Sequence, residues 1–137
     1  MTLIEQVHFM PRRLIADSRG WFLKVIDGSE PGIPPHTGEV YLTMAVPGQA
    51  RGNHYHPLTA EWFTIVTGTA RLMVADPETG ERAEFELTES DPQTVYMPAG
   101  LAHVFVNDAK AEKDFLLVAY AANPFDPDDT IPYPVWS

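Results

Sequence analysis

The stretch that decides the fold is Gly48-Gln49-Ala50-Arg51-Gly52-Asn53-His54-Tyr55-His56, which is followed by Glu61 and Gly68. Because His54 and His56 are two residues apart, both side chains project to the same face if this segment is a β-strand. Glu61 follows after a short turn, on the expected return strand, and His103 belongs to a separate segment, residues 98–107. Three imidazoles and one carboxylate on one face are a typical donor set for a divalent metal ion.

The spacing of these residues resembles the two sequence motifs of the cupin family. The first motif combines His-x-His with a later Glu and is framed by glycines, and it is matched by Gly48, His54, His56, Glu61 and Gly68. The second motif, Pro-x-Gly with a later His and Asn, is matched by Pro98, Gly100, His103 and Asn107, although its opening Gly is here Pro92. The resemblance implies a jelly-roll barrel whose metal ligands are His54, His56, Glu61 and His103.

Composition describes one ordinary globular domain of 137 residues, with 45% hydrophobic and 20% charged residues. The absence of cysteine excludes disulfides and thiolate ligands. A formal net charge of −10 argues against nucleic acid or an anionic membrane as a partner. Without a signal-peptide pattern or an apolar run of membrane-spanning length, we expect a cytoplasmic protein.

The chain as a whole alternates short β-prone segments with turns. About ten such segments are separated by Gly, Pro and Asp, and no segment of ten or more residues shows a sustained helical period. This pattern predicts an all-β fold, a closed or sandwiched jelly roll with little or no helix. We expect N-terminal strands and a loop over residues 1–37, the cupin core over 38–121 and an extended tail over 122–137.

Two further segments narrow the resemblance within the cupins. The sequence around Arg51, and the run Asn123-Pro124-Phe125-Asp126-Pro127-Asp128-Asp129-Thr130, are similar to the C-terminal cupin domain of capsular polysaccharide enzymes that carry a reductase domain in front. This similarity covers roughly residues 38–133. It implies a bound zinc ion and epimerisation of a nucleotide-linked keto-sugar.

A second similarity is to the dTDP-4-dehydrorhamnose 3,5-epimerases and their 3,4-ketoisomerase relatives. Asp17-Ser18-Arg19-Gly20-Trp21-Phe22 resembles their hairpin, and this implies that Arg19 meets the nucleotide phosphates. Their catalytic base corresponds to His54. Lys24 stands where those enzymes have a Glu, and Tyr120 is the nearest match to their acid Tyr, where a shift of one residue along a strand reverses the face.

Basic residues are concentrated in the first part of the chain, where an anionic substrate would meet them. Arg19 and Arg51 are the candidates for holding a pyrophosphate, and the alternative is that they are ordinary solvated side chains. Trp21, next to Arg19, is the candidate for stacking on a nucleobase. Trp62 and Phe63 are expected in the core.

Epimerisation next to a ketone removes an α-proton and forms an enolate, whose oxyanion needs a metal ion or a hydrogen-bond donor. The ligand set suits zinc, nickel, iron or manganese, and the resemblance implies zinc. The two roles of His54 exclude each other, because a metal ligand cannot also be the base. If His54 binds metal, the base is a water molecule or one of Tyr41, Tyr96 and Tyr120.

We therefore expect a metal-binding epimerase or isomerase that acts on a nucleotide-linked 4-keto sugar in surface polysaccharide biosynthesis. One alternative is a non-catalytic cupin that binds sugar or metal as a sensor or accessory subunit. Another is an iron-dependent dioxygenase, since three His and one Glu also serve oxygen chemistry. The resemblance also implies a homodimer, often formed by exchange of N-terminal strands.

Overall fold

A computed structural model describes residues 1–18, 20–23, 25–26, 29–34 and 38–137, with only the backbone described for residues 15 and 20–23. Within these ranges two five-stranded antiparallel sheets face each other, in the orders β1-β9-β6-β11-β4 and β12-β5-β10-β7-β8. The twelve strands are β1 (His8–Pro11), β2 (Leu14–Asp17), β3 (Gly20–Leu23), β4 (Glu39–Ala45), β5 (Ala50–Tyr55), β6 (Glu61–Thr67), β7 (Thr69–Ala75), β8 (Arg82–Thr88), β9 (Gln93–Met97), β10 (Ala102–Val106), β11 (Phe115–Ala121) and β12 (Ile131–Pro132).

The core lies between the two sheets and follows from alternation along the strands. In β11 every second side chain is buried, beginning with Phe115, whereas the residues between them are partly exposed. Leu72 and Val74 of β7 face the core from the opposite sheet. Further buried members of this core are Phe63, Ile65, Leu87, Val95, Met97, Leu101, Phe105, Leu117 and Ala119.

The predicted all-β barrel is confirmed, with β-hairpins where the turn residues predicted them. The described part of the chain contains no α-helix, only two short 3-10 turns, Ile4–Gln6 and Pro127–Asp129. None of its helical segments is long and apolar enough to cross a membrane. The hairpin of β2 and β3 forms a separate two-stranded sheet, in agreement with the hairpin that the resemblance at residues 17–22 implies.

The C-terminal tail is largely irregular, as expected, apart from the 3-10 turn and β12. It folds back onto the barrel, where Ile131 pairs with Tyr55 and so covers the edge of β5. The Asn53 side chain holds the end of the tail, because it accepts hydrogen bonds from the Val135 and Trp136 backbone nitrogens at 3.1 and 3.0 Å. A local sequence pattern does not reveal this long-range pairing.

Candidate metal centre and cavity

The imidazoles of His54 and His103 are brought together where β5 pairs with β10. His54 lies opposite His103, and the register shifts between His103 and Val104. The preceding residues, Gly52 and Asn53, have φ values of 121° and 62°, in the left-handed range that allows this irregular strand. The rings of His54 and His103 are nearly perpendicular, with centroids 5.1 Å apart.

His56 and Glu61 complete the cluster from the connection between β5 and β6. His56 lies just beyond the end of β5, and Glu61 is the first residue of β6. The candidate ligand nitrogens of His54, His56 and His103 all lie within 4.8 Å of one another. Glu61 Oε1 lies 3.0 Å from His56 Nε2 and 3.7 Å from His103 Nε2. The structure therefore brings together all four residues that the sequence singled out.

Two of the imidazoles are oriented by backbone carbonyl groups. His56 Nδ1 lies 2.9 Å from the Asp129 oxygen, and His103 Nδ1 lies 3.1 Å from the Leu101 oxygen. A neutral ring that donates from Nδ1 has a lone pair on Nε2, so both rings present Nε2 as an acceptor. A metal-binding histidine usually donates its other ring N–H to a carbonyl or carboxylate oxygen in this way, and this hydrogen bond orients the ring.

The pKa shifts of His54, His103 and Glu61 favour the protonation states that a bound cation requires, whereas that of His56 does not. Burial, together with the neighbouring His103 and His56, lowers the pKa of His54 to about 4. Burial also lowers the pKa of His103. Burial opposes the charged form of His56, but the neighbouring Glu61 carboxylate outweighs it and raises the pKa of His56. Burial likewise opposes the charge of Glu61, yet His56, His103 and Tyr41 lower its pKa, so the carboxylate is ionised.

Glu61 provides a direct test of whether these residues fit a metal ion. Its side chain is 3% exposed, and Oε2 accepts a hydrogen bond from the Tyr41 hydroxyl at 2.6 Å. Oε1 accepts no hydrogen bond from any described residue, although His56 Nε2 lies 3.0 Å away, within the distance of an ion pair. A buried carboxylate oxygen without a donor is costly, and it faces imidazole lone pairs. These residues fit a divalent cation with nitrogen and oxygen ligands.

Two cavities adjoin the cluster and share Tyr41 and His54. The larger has a volume of about 280 Å³ and is bounded by the strand residues Glu39, Glu61 and Ala121 and by the tail. The smaller, of about 220 Å³, extends to Arg51. A ligand in the larger cavity therefore lies beside the cluster. The tail residues that line it are Asn123, Pro124, Phe125, Asp126, Asp129 and Thr130.

The predicted substrate-binding residues are only partly described. Arg51 lines the smaller cavity, and its Nε donates a hydrogen bond to the Met44 oxygen at 2.7 Å, which leaves the outer edge of the guanidinium for a ligand. Arg19, and Lys24 after it, lie outside the described residues, as does the side chain of Trp21. The structure therefore places one of the three predicted residues beside the cluster.

The structure contradicts the prediction that Tyr120 reaches the site. Its neighbours Ala119 and Ala121 face the interior, so Tyr120 faces the outer side of the sheet, where its ring packs against Trp62 at 5.8 Å. The Tyr120 oxygen accepts a hydrogen bond from the Gly38 nitrogen at 3.2 Å. Tyr96 packs on the same outer side, 5.3 Å from Trp62. The physical reason is the alternation of a strand, in which one position decides the face.

The expectation that Trp62 and Phe63 are buried is confirmed, with Phe63 between the two sheets and Trp62 on the outer side of its sheet. Trp62 and Phe63 are buried, with 1% and 2% of their surface exposed. The Asn107 side chain donates hydrogen bonds to the Ala45 and Lys113 oxygens, as expected for a residue that satisfies the backbone near a turn.

Sequence reasoning missed the tail and Glu39 as parts of the cavity. The Asp129 carboxylate is buried and accepts hydrogen bonds from the Leu58 nitrogen at 2.7 Å and the Thr59 hydroxyl at 2.6 Å. The available signal was the run of Asn, Asp and Pro at 123–130, which carried the family resemblance. The polar positions Glu39 and Tyr41 at the start of β4 were a second signal.

Comparison with known proteins places the fold and the family. Residues 15–133 match the family model described as polysaccharide biosynthesis C-terminal domain. The chain is 25% identical over 118 residues to UDP-2-acetamido-2,6-beta-L-arabino-hexul-4-ose reductase of Pseudomonas aeruginosa, which covers 86% of this chain and 30% of that protein. The chain thus spans less than a third of the length of this curated relative.

Two solved structures share the cupin jelly-roll architecture. One is a dTDP sugar isomerase from Desulfovibrio desulfuricans G20, with a TM-score of 0.83 at 18% identity over 96% of this chain and 85% of that chain. Another is the capsular polysaccharide assembling protein CapF of Staphylococcus aureus, with a TM-score of 0.66 at 26% identity over 90% of this chain and 34% of that chain. With the match to the family model over most of its length, the chain belongs to the polysaccharide biosynthesis C-terminal domain family and has a cupin fold.

Proposed function

We propose that this domain is an epimerase or isomerase of a nucleotide-linked 4-keto sugar in surface polysaccharide biosynthesis. The observation that carries the proposal is Glu61 Oε1, which is buried without a hydrogen bond and lies among three imidazoles at the wall of a cavity. His54, His56, Glu61 and His103 would hold a divalent cation, zinc first, with nickel, iron or manganese as alternatives.

The comparisons support the class of substrate. The curated relative is named for a UDP-linked hexul-4-ose, and the structural relative from Desulfovibrio is named a dTDP sugar isomerase. The family description refers to polysaccharide biosynthesis. Each of these names describes another protein, and together they favour a nucleotide sugar over the oxygen chemistry of a dioxygenase.

The chemistry requires removal of a proton next to a ketone. A bound cation would supply Lewis-acid stabilisation of the enolate oxygen. We assign His54 to the cation because a ring with a pKa of about 4 is neutral near pH 7, as a ligand must be. The same low pKa makes His54 a poor base for a carbon acid.

We assign the sugar and the pyrophosphate of the substrate to the two cavities. The sugar occupies the larger cavity, which the tail lines on one side. The pyrophosphate lies toward Arg51, whose guanidinium lines the smaller cavity, and Arg19 is proposed as a second contact. Trp21 remains the proposed stacking residue for the base.

We further propose that the protein is a cytoplasmic homodimer. Val40, Leu42 and Met44 on the outer face of the edge strand β4 are exposed by 63%, 66% and 38%, an apolar stripe at the end of a sheet. Light scattering of the purified protein checks the mass, and Leu42→Lys is expected to favour the monomer.

The test of the reaction is exchange with solvent deuterium. The protein loaded with zinc is incubated with UDP- and dTDP-linked 4-keto sugars in deuterium oxide, and label at the carbon next to the ketone is followed by NMR. We expect label in at least one sugar. Cation and nucleotide-sugar binding without any label would instead support the second candidate, a non-catalytic binding protein.

A further inference from the structure

Glu39 lines the larger cavity two strands away from Glu61 of the cluster. It begins β4 and pairs with Ala121 of β11, which in turn pairs with Glu61 of β6. All three residues line the larger cavity. Since neighbouring strands are about 4.8 Å apart, the Glu39 and Glu61 backbones are roughly 10 Å apart, with Ala121 of β11 between them. A sugar ring over Ala121 would have the cluster on one side and Glu39 on the other.

The other carboxylates of this cavity are already engaged. Glu61 belongs to the cluster, and Asp129 accepts hydrogen bonds from the backbone of Leu58 and the hydroxyl of Thr59. Asp126 is exposed and accepts from the Asp128 nitrogen. By contrast, no described residue donates a hydrogen bond to the Glu39 carboxylate. An unengaged carboxylate on a cavity wall is available to a substrate.

The tyrosines do not supply a base. Tyr96 and Tyr120 lie on the outer face of the sheet. Tyr41 lines the cavity, but its hydroxyl is the donor of the 2.6 Å hydrogen bond to Glu61. A carboxylate, in contrast, is a well-established base for protons next to a ketone.

We propose that Glu39 is the catalytic base of this domain. A carboxylate oxygen of Glu39 takes the proton from the carbon next to the ketone, the C–H electron pair forms the C=C bond of the enolate, and the carbonyl π pair moves to oxygen. In an isomerisation the hydroxyl group on the deprotonated carbon gives its proton to the enolate oxygen. The carboxyl group of Glu39, after exchange of its proton with solvent, then protonates the former carbonyl carbon as the former hydroxyl oxygen becomes the new ketone. In an epimerisation a water molecule from the open mouth protonates the opposite face, and Glu39 gives its proton to solvent.

The inference rests on the proposed function and is tested by Glu39→Gln, which keeps the shape of the side chain and removes its basicity. We expect solvent-deuterium exchange to fall by about 100-fold or more, the contribution typical of a general base. Cobalt binding, followed by its visible absorption, and the affinity for UDP are expected to stay unchanged. Glu39→Asp is expected to recover part of the exchange.

Matched controls separate the outcomes. Asp128→Asn removes a nearby exposed carboxylate that does not line the cavity, and it is expected to keep exchange near the wild-type rate. Exchange in Glu39→Gln within about tenfold of wild type, in a folded variant, would overturn the assignment while the proposed function stands. An equal loss in Asp128→Asn would also overturn it, because the effect would then come from loss of negative charge in general. Absence of exchange in wild type overturns both proposals.

Discussion

His56 donates a hydrogen bond to the backbone oxygen of Asp129 at 2.9 Å, across 73 residues of sequence. The Asp129 carboxylate in turn accepts hydrogen bonds from the Leu58 nitrogen and the Thr59 hydroxyl. Both residues belong to the connection between His56 and Glu61. The tail therefore forms a wall of the cavity and also orients a proposed ligand.

Replacement of Asp129 by Ala is expected to weaken both functions of the tail. Loss of the two hydrogen bonds should lower the free energy of unfolding by about 1–3 kcal/mol, as measured with urea. Cobalt affinity should fall by about tenfold, because the connection that carries His56 loses its support. Asp128→Ala, an exposed neighbour, is the control. Lower stability with unchanged cobalt affinity would mean that the tail does not orient His56.

Tyr41 is expected to position Glu61 through its 2.6 Å hydrogen bond. The side chain crosses over Ala119, the residue that pairs with Tyr41, and this small residue leaves room for the ring. Tyr41→Phe removes only the hydroxyl, so cobalt affinity should fall by about 10- to 100-fold. Tyr96→Phe, the same change on the outer face, should have no effect.

A double-mutant cycle distinguishes positioning from a general effect of the Tyr41 change. If the hydroxyl acts through Glu61, Tyr41→Phe should not weaken cobalt binding further in a Glu61→Ala background. Equal losses in both backgrounds would contradict the positioning role.

The strands were predictable from the sequence because their signals are local. Period-two alternation and turns rich in Gly and Asp lie within a few residues of each other, and the hairpin of β2 and β3 is an example. The spacing of His54 and His56 likewise fixes a common face without knowledge of the fold.

The rest of the cavity could not be predicted because it depends on pairing between distant segments. Ile131 lies beside Tyr55 only after the barrel has formed. The pattern of β4 is also misleading, since its apolar residues Val40 and Leu42 are exposed and its polar residues face the cavity. Burial of polar residues on one face serves the site rather than the core, and hydrophobic alternation alone does not reveal this.

Gly52 is expected to be essential for the pairing of β5 and β10. Its φ is 121°, and a Cβ atom there would lie 2.6 Å from the His103 oxygen, a backbone atom that cannot move freely. Gly52→Ala should therefore lower the melting temperature and weaken cobalt binding by separating His54 from His103. Gly80→Ala is the control, because φ is 77° there but a Cβ atom would meet nothing within 4 Å. Gly80→Ala should lower the free energy of unfolding only by the backbone strain, about 1 kcal/mol. Equal effects of the two changes would exclude a role for the close approach.

The stability of the metal-free protein is expected to depend on pH through His54. Its pKa is 6.5 in the unfolded reference and about 4 in the folded chain, so between these values the unfolded chain binds more protons. The stability present above pH 6.5 is therefore lost progressively as the pH falls toward 4. His103 acts in the same direction, and His56, with its raised pKa, acts in the opposite one.

Comparison with His54→Gln isolates the contribution of this one ring. After treatment with a chelator, the difference in unfolding free energy between wild type and His54→Gln should be constant above pH 6.5. It should then fall by about 1–2 kcal/mol toward pH 4, a value reduced from the full linkage because the ring is partly exposed and screened by solvent. Urea unfolding in the presence of EDTA at several pH values measures it. A difference that stays flat, or that grows as the pH falls, would show that the folded protein does not disfavour the protonated ring.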